Sequence, residues 1–214
     1  MNDDERLGAG RIRELLVELG QRLDDRGVSA RLFLVGGAAM ALGFNSRRAT
    51  RDLDGVFEPK QEIYDEAEKM ARKHGLPLDW LNDGVKGLLP DRVPTEVGSQ
   101  FESRGISVGV ASAEYLFTMK AAAAREDADA EDLRFLATHL GLTDATEALD
   151  LVERYISPHR LRPTSQFFVE AAFDDLGIAS SPEPSRSAGT NYGRVRPYRR
   201  KDGTQVKGHH RHRP

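Results

Sequence analysis

The chain has 214 residues, no cysteine, 30% charged residues and a formal net charge of −3. That length holds a domain with a real core, and the lack of cysteine excludes a disulfide framework and thiolate metal sites. The acidic start, MNDDERLGAG, is unlike a secretory signal, and the longest near-apolar run, Leu32 to Phe44, covers 13 positions, short of the ~20 a membrane span needs; the expectation is a cytoplasmic protein without membrane contact.

In chain order, Ile12, Leu15, Leu16, Leu19 and Leu23 recur at helical spacing, which predicts an amphipathic helix ending near Gly27. ARLFLV, from Ala30, predicts a short buried strand, AAMALGF after the paired glycines a helix, and TRDLDGVFE a second strand. Ile63, Tyr64, Ala67, Met70 and Ala71 predict another helix, stopped by Gly75 and Pro77. LPLDWLN reads as a third strand, followed by a Gly- and Pro-rich loop to Pro94 and weaker strands near TEVGSQFES and GISVGVA. From Ser112, an N-cap residue type, helices are predicted over 113–125, 130–140, 144–156 and 165–176. No internal repeat is visible. The expected fold class is therefore α+β: a mixed sheet with flanking helices over 1–111, a helical region packed on it over 112–177, and a disordered linker and basic tail over 178–214.

The densest chemistry lies between Leu32 and Phe57. A strand running into Gly36 and Gly37 and then a helix leaves free backbone N–H groups at the helix start, where glycine lets a phosphate come close. Asp52 and Asp54 stand two apart on the next predicted strand, so both are expected on one face. Two carboxylates so placed repel unless a cation lies between them. Mg²⁺ is the natural cation where phosphates share the site.

Gly36–Gly37, fourteen intervening residues and Asp52-Leu53-Asp54 resemble the signature of the nucleotidyltransferase superfamily that includes DNA polymerase beta. Thr50 and the Arg47–Arg48 turn are similar to the branch containing AbiEii/AbiGii-type toxins. A second block, Ser112 to Leu136, resembles that branch at Lys120, Arg125, Asp129, Asp132 and Leu133. The likeness spans about residues 30 to 140 and extends to smaller bacterial families built on the same core. It implies a nucleotidyltransferase-like sheet, NTP as substrate, one or two Mg²⁺ ions, an RNA or tRNA acceptor and a cognate antitoxin.

On that resemblance Asp52 and Asp54 bind metal and act in catalysis, and Gly36 and Gly37 hold the triphosphate. Thr50 orients the carboxylate strand, and Lys120 neutralises phosphate charge unless it is an ordinary solvated lysine. Asp132 is either a positioning carboxylate or base in the site, or a first-turn acid favouring its helix dipole. The superfamily often has a third carboxylate on a neighbouring strand; Asp79 is the candidate, with Asp83 and Glu96 behind it, although Asp79 reads equally as a loop acid beside a core Trp80. Arg47, Arg48 and Arg51 either meet substrate phosphate or balance the two aspartates.

Charge is unevenly distributed. From Pro184 onward the chain has nine Arg or Lys and one acid, Asp202, for +8, against 22 basic and 33 acidic residues before it, or −11. The arm VRPYRRKDGTQVKGHHRHRP suits nucleic acid, or else folds back on its own acidic body. Metal binding by His209, His210 and His212 is a weaker reading, and His74, His139 and His159 read as surface or packing residues. Two functions follow. One is a metal-dependent, toxin-like nucleotidyltransferase; the other is a catalytically inactive module of the same fold that binds nucleic acid or a protein through its tail.

Overall fold

The structure, a computed structural model, describes residues 6–44, 48–85, 99–157 and 159–175, together with short strands between 192 and 212. Among the described residues no helix is long and apolar enough to cross a membrane. Residues Met1–Ser180 form one compact unit and Ser181–Pro214 a second.

The first unit is α+β, with a five-stranded mixed sheet. Strands β2 (Ala30–Leu34), β4 (Leu53–Glu58), β5 (Leu81–Asn82), β6 (Ser99–Ser103) and β7 (Ile106–Val110) lie in the order β5-β4-β2-β7-β6. Central β2 runs antiparallel to β4 and parallel to β7. Its alternate residues Ala30, Leu32 and Leu34 are buried against helices α1 (Ala9–Asp25) and α3 (Lys60–His74). The apolar stripe from Ile12 to Leu23 is fully buried there, as helical periodicity predicts. Trp80 completes this core: it is buried and its Nε1 donates to the Ala67 carbonyl at 3.0 Å.

A second core, under helices α4 (Ala113–Ala123), α5 (Glu126–His139), α6 (Ala145–Tyr155) and α7 (Pro163–Asp175), gathers Tyr115, Leu116, Phe117, Leu133, Leu136, Val169 and Phe173. Val35, Ala39 and Met40 join it, so helix α2 (Gly36–Gly43) lies between the two cores. Ser112 caps α4 as expected, its Oγ accepting from the Tyr115 N–H at 3.3 Å. Asp144 does the same for α6 through Glu147 N–H at 2.9 Å.

Three expectations change. The strand over residues 50–58 divides into β3 (Ala49–Thr50) and β4, with β3 pairing antiparallel to β1 (Leu7–Gly8). LPLDWLN contributes only two strand residues, because the Trp80 N–H bonds back to the Pro77 carbonyl and turns the chain. Helix α5 begins at Glu126 rather than 130, since Ala124 adopts a left-handed conformation (φ 49°, ψ 48°) that ends α4 and reverses the chain within two residues. Much of 178–214 lies outside the described residues. Within it, β8 (Tyr192–Val195) pairs antiparallel with β11 (His209–His212), and β9 (Tyr198–Arg199) with β10 (Gln205–Val206).

An ion network ties α1 to α3. Burial disfavours the charged form of Glu18, but hydrogen bonds from Lys73, Arg22 and His74 outweigh it and hold its carboxyl at about 2. A depressed native value stabilises the fold above the ordinary 4.5, and that stabilisation is lost as pH falls toward about 2. Glu18→Gln should accordingly lower Tm at neutral pH and flatten the acid limb of a Tm–pH profile. Parallel profiles for parent and variant would refute the network's contribution.

Candidate active site

The β2–α2 junction sets the geometry. Val35 is extended, Gly36 then takes φ +61°, and α2 starts without a side-chain cap. A left-handed residue at this point favours glycine. A Cβ on Gly36 would stand 3.2 Å from Asp54 Oδ2, and one on Gly37 would stand 2.6 Å from Thr50 Oγ1. The glycines therefore admit the β3–β4 segment against the first turn of α2, whose unpaired N–H groups and positive dipole end suit an anion. Gly37→Ala should cost about 1–3 kcal/mol through the forced shift of Thr50. An unchanged Tm would show that the contact yields freely.

Asp52 and Asp54 line the same cleft, of about 710 Å³, with Gly36, Gly37 and Thr50. They reach it differently from the expectation: Asp54 is in β4, whereas Asp52 sits in the bend before that strand. Thr50 holds the bend, its Oγ1 donating to the Asp52 carbonyl at 3.1 Å. Burial raises the pKa of Asp54, and the charge of Asp52 raises it further, against a hydrogen bond from Asn82 and the charge of Arg125. The site thus disfavours a second negative charge in the absence of a cation.

The neighbouring strand offers an amide where a third carboxylate was sought. In the parallel β4–β5 pairing, Asn82 stands opposite Asp54, and its amide works to lower the pKa of that carboxyl. Asn82 Oδ1 accepts from the Gly84 N–H at 3.0 Å, and its Nδ2 donates to the Asp79 carbonyl at 3.5 Å. Asp79 is exposed in the turn before β5 and is not among the cleft residues. Asp83 is held by Lys60 and by the Tyr64 hydroxyl, the latter at 2.8 Å. Glu96 and Arg47 lie outside the described residues. Among the described residues no group of three or more His, Cys, Asp or Glu is placed to hold a metal.

The wall opposite the aspartates is an ion ladder. Lys120, almost fully buried, reaches Asp129 and Asp132 at 2.8 Å each. Arg125 Nε donates to Asp129 at 2.8 Å, and Arg48 Nε donates to Asp132 at 2.6 Å. Lys120 thus spends two of its three donors on protein carboxylates, a different position from that of a free phosphate ligand. Asp132 lies mid-helix, so the first-turn dipole reading is corrected by the earlier start of α5. Asp132 is held between Lys120 and Arg48. Arg125 has its pKa raised chiefly by its hydrogen bond to Asp129, against partial burial, with the charges of Asp129, Asp54 and Asp52 also raising it.

A second arm of about 290 Å³ adds Val85, Leu116, Met119 and Ala123 to the same Asp52, Asp54, Lys120 and Arg125. Its lining combines charged and apolar groups, as in a pocket for a small amphipathic ligand. The sequence could not identify Asn82, and Arg125 and Asp129 entered only through the second block. The remaining histidines have packing roles or stand at the surface. His74 is within 2.8 Å of Glu18, His139 meets the Phe44 and Phe135 rings, and His159 is exposed.

No protein-family model matches the sequence, and no curated protein does. Among solved structures the chain is similar to an antigenic nucleotidyltransferase-like protein from Paracoccidioides brasiliensis, at 13% identity over 78% of this chain and 95% of that one, with a TM-score of 0.40.

Proposed function

We propose that the protein is a metal-dependent nucleotidyltransferase that moves a nucleoside monophosphate from an NTP to an acceptor hydroxyl. The observation that carries the reading is the placement of Asp52 and Asp54 against the uncapped, glycine-built start of α2 in one cleft. The α2 turn receives triphosphate oxygens, and Arg125 and Arg48 set positive charge along the cleft wall. Asp52 and Asp54 would hold a Mg²⁺ ion arriving with the nucleotide, since carboxylates are the hard oxygen donors such an ion prefers. When bound, the ion would neutralise phosphate charge and favour departure of pyrophosphate.

In the transfer, an acceptor oxygen forms a bond to the α-phosphorus while the bond from that phosphorus to the β-bridging oxygen breaks. Pyrophosphate leaves, and the acceptor proton passes to solvent. The chain's own contribution is positioning: Thr50 fixes Asp52, Asn82 orients Asp54, and the Lys120 ladder holds the α4–α5 wall. The second arm, with Val85, Leu116, Met119 and Ala123 in its lining, takes the base or the organic part of the acceptor. The resemblance of the two sequence blocks extends the proposal to an RNA acceptor such as a tRNA end, and to a toxin-like role with a cognate antitoxin.

The test is transfer from each of four α-labelled NTPs with Mg²⁺ into total RNA or cell extract, comparing the parent with a double Asp52→Ala, Asp54→Ala variant. Label incorporated by the parent and lost in the folded variant supports the proposal. No incorporation by either folded protein overturns it and leaves the noncatalytic binding module.

A further inference from the structure

Two cavities meet at the aspartate pair. The main cleft and the second arm share Gly36, Asp52, Asp54, Lys120, Arg125 and Asp129. Beyond these the arm is lined by Val85, Leu116, Met119 and Ala123, whereas the main cleft is lined by Arg6, Arg48, Arg51 and Arg134. The β1–β3 ladder brings two of those arginines together: Leu7 is opposite Thr50 in an antiparallel pair, and the next residue outward is Arg6 on one side and Arg51 on the other. Like charges so placed repel, and an anion between them relieves the repulsion. Arg134 follows Arg125, the N-cap residue of α5, by nine positions, or about 13 Å along the axis at ~1.5 Å per residue. Among the described residues this lining sets six cations against five acids, in a chain whose residues before Pro184 sum to −11.

We propose that the arginine-lined side of the cleft holds the phosphates of a nucleic-acid acceptor, a strand that lies along α5 and brings a terminal hydroxyl to the aspartates. The inference rests on the nucleotidyltransferase reading and names the class of its acceptor. Transfer needs two ligands to meet at one aspartate pair, and the two cavities differ as those ligands do. A nucleobase is flat with apolar faces and suits the arm, whereas a strand is a polyanion and suits guanidinium groups, which match phosphate in charge and geometry. The start of α2 and Arg125 already meet a triphosphate, and Arg134 lies two helical turns further on. At the ~3.4 Å per nucleotide of a stacked strand, the distance from Arg125 to Arg134 corresponds to roughly four nucleotides. A strand supplies such a run of charges; a small-molecule acceptor does not.

The test uses the full chain, so that the basic tail contributes equally in every variant, and follows a labelled ten-nucleotide U-only RNA by fluorescence anisotropy over a salt series. Arg6→Gln with Arg134→Gln should raise the RNA Kd about tenfold and lower the slope of log affinity against log salt by about 1.4, at ~0.7 per phosphate contact of a single strand. Arg6→Lys with Arg134→Lys, which keeps the charges, should retain most of both. Arg31→Gln with Arg72→Gln removes the same charge from exposed residues outside the cleft lining and should leave both unchanged. Equilibrium dialysis with each NTP and Mg²⁺ should show parent-like nucleotide binding in the Arg6→Gln, Arg134→Gln variant. An unchanged RNA Kd in that variant overturns the proposal, as do equal losses in the Arg31, Arg72 control or a loss of NTP binding in place of RNA binding. The transfer assay separates the two readings. Transfer by a parent whose RNA affinity ignores Arg6 and Arg134 overturns this inference and leaves the nucleotidyltransferase standing, whereas RNA binding through those arginines with no transfer from any NTP overturns the enzyme instead.

Discussion

Asp54→Asn should abolish transfer and at the same time make the protein more stable. Loss of one electrostatic group from such a site costs about a hundredfold or more in rate. The stability gain follows from the raised pKa of Asp54, caused first by burial and then by Asp52. A carboxyl whose native pKa lies above its unfolded value of 3.8 releases its proton more easily when the chain unfolds. Above about pH 4 the native state therefore loses stability relative to unfolded as pH rises, until the native group has also ionised. The amide removes that penalty and can still accept the Asn82 hydrogen bond. An increase of about 0.5–2 kcal/mol is expected, near 2–4 °C in Tm per kcal/mol for a chain of this size. The gain should be largest without Mg²⁺, because a bound cation relieves the same repulsion in the parent. Differential scanning calorimetry with and without Mg²⁺ checks this. A variant less stable than the parent in both buffers would place Asp54 in a structural role.

Lys120→Ala should act in the opposite sense, through folding. Lys120, Asp129 and Asp132 are all buried, and removing the lysine leaves two carboxylates facing an apolar gap, each with one remaining arginine partner. Breaking a buried pair costs about 3–5 kcal/mol, or a Tm loss of roughly 6 °C or more at 2–4 °C per kcal/mol. Adding Asp129→Ala should recover part of that loss, because the second deletion removes the charge the first stranded. If Lys120→Ala keeps the parent's Tm but loses transfer, Lys120 acts on substrate and the ladder is incidental. If both fall together and the double variant recovers Tm alone, the ladder is the scaffold of the cleft wall. The Arg125 and Arg48 contacts at its two ends make the same point structurally: one connects α5 to the α4–α5 turn and the other to the segment before β3.

Local patterns made much of the fold legible. The stripe from Ile12 to Leu23, the Ser112 cap and the alternation in β2 and β7 are properties of short windows, so periodicity and capping chemistry sufficed. Gly36, Gly37, Asp52 and Asp54 were legible for a related reason: turn, helix start and strand are consecutive in the chain, and they meet in one cleft. Of the two-residue strands, β3 and β5 were read only within longer strands, and β1 gave no pattern to read. The same holds for the bend that places Asp52 ahead of β4, since it depends on pairing with Leu7–Gly8, over forty residues away.

By itself the sequence determined the helical and strand segments, the glycine-to-aspartate motif and the contrast between an acidic body and a basic arm, because each depends on neighbours in the chain. Only the tertiary structure decided that Asn82 faces Asp54, that Lys120 is enclosed by Asp129 and Asp132, and that Arg48 closes the ladder 84 residues before its partner. These are matters of register, of helix packing and of which charges leave water together, and such long-range contacts are fixed only when the sheet and the α4–α5 wall come together.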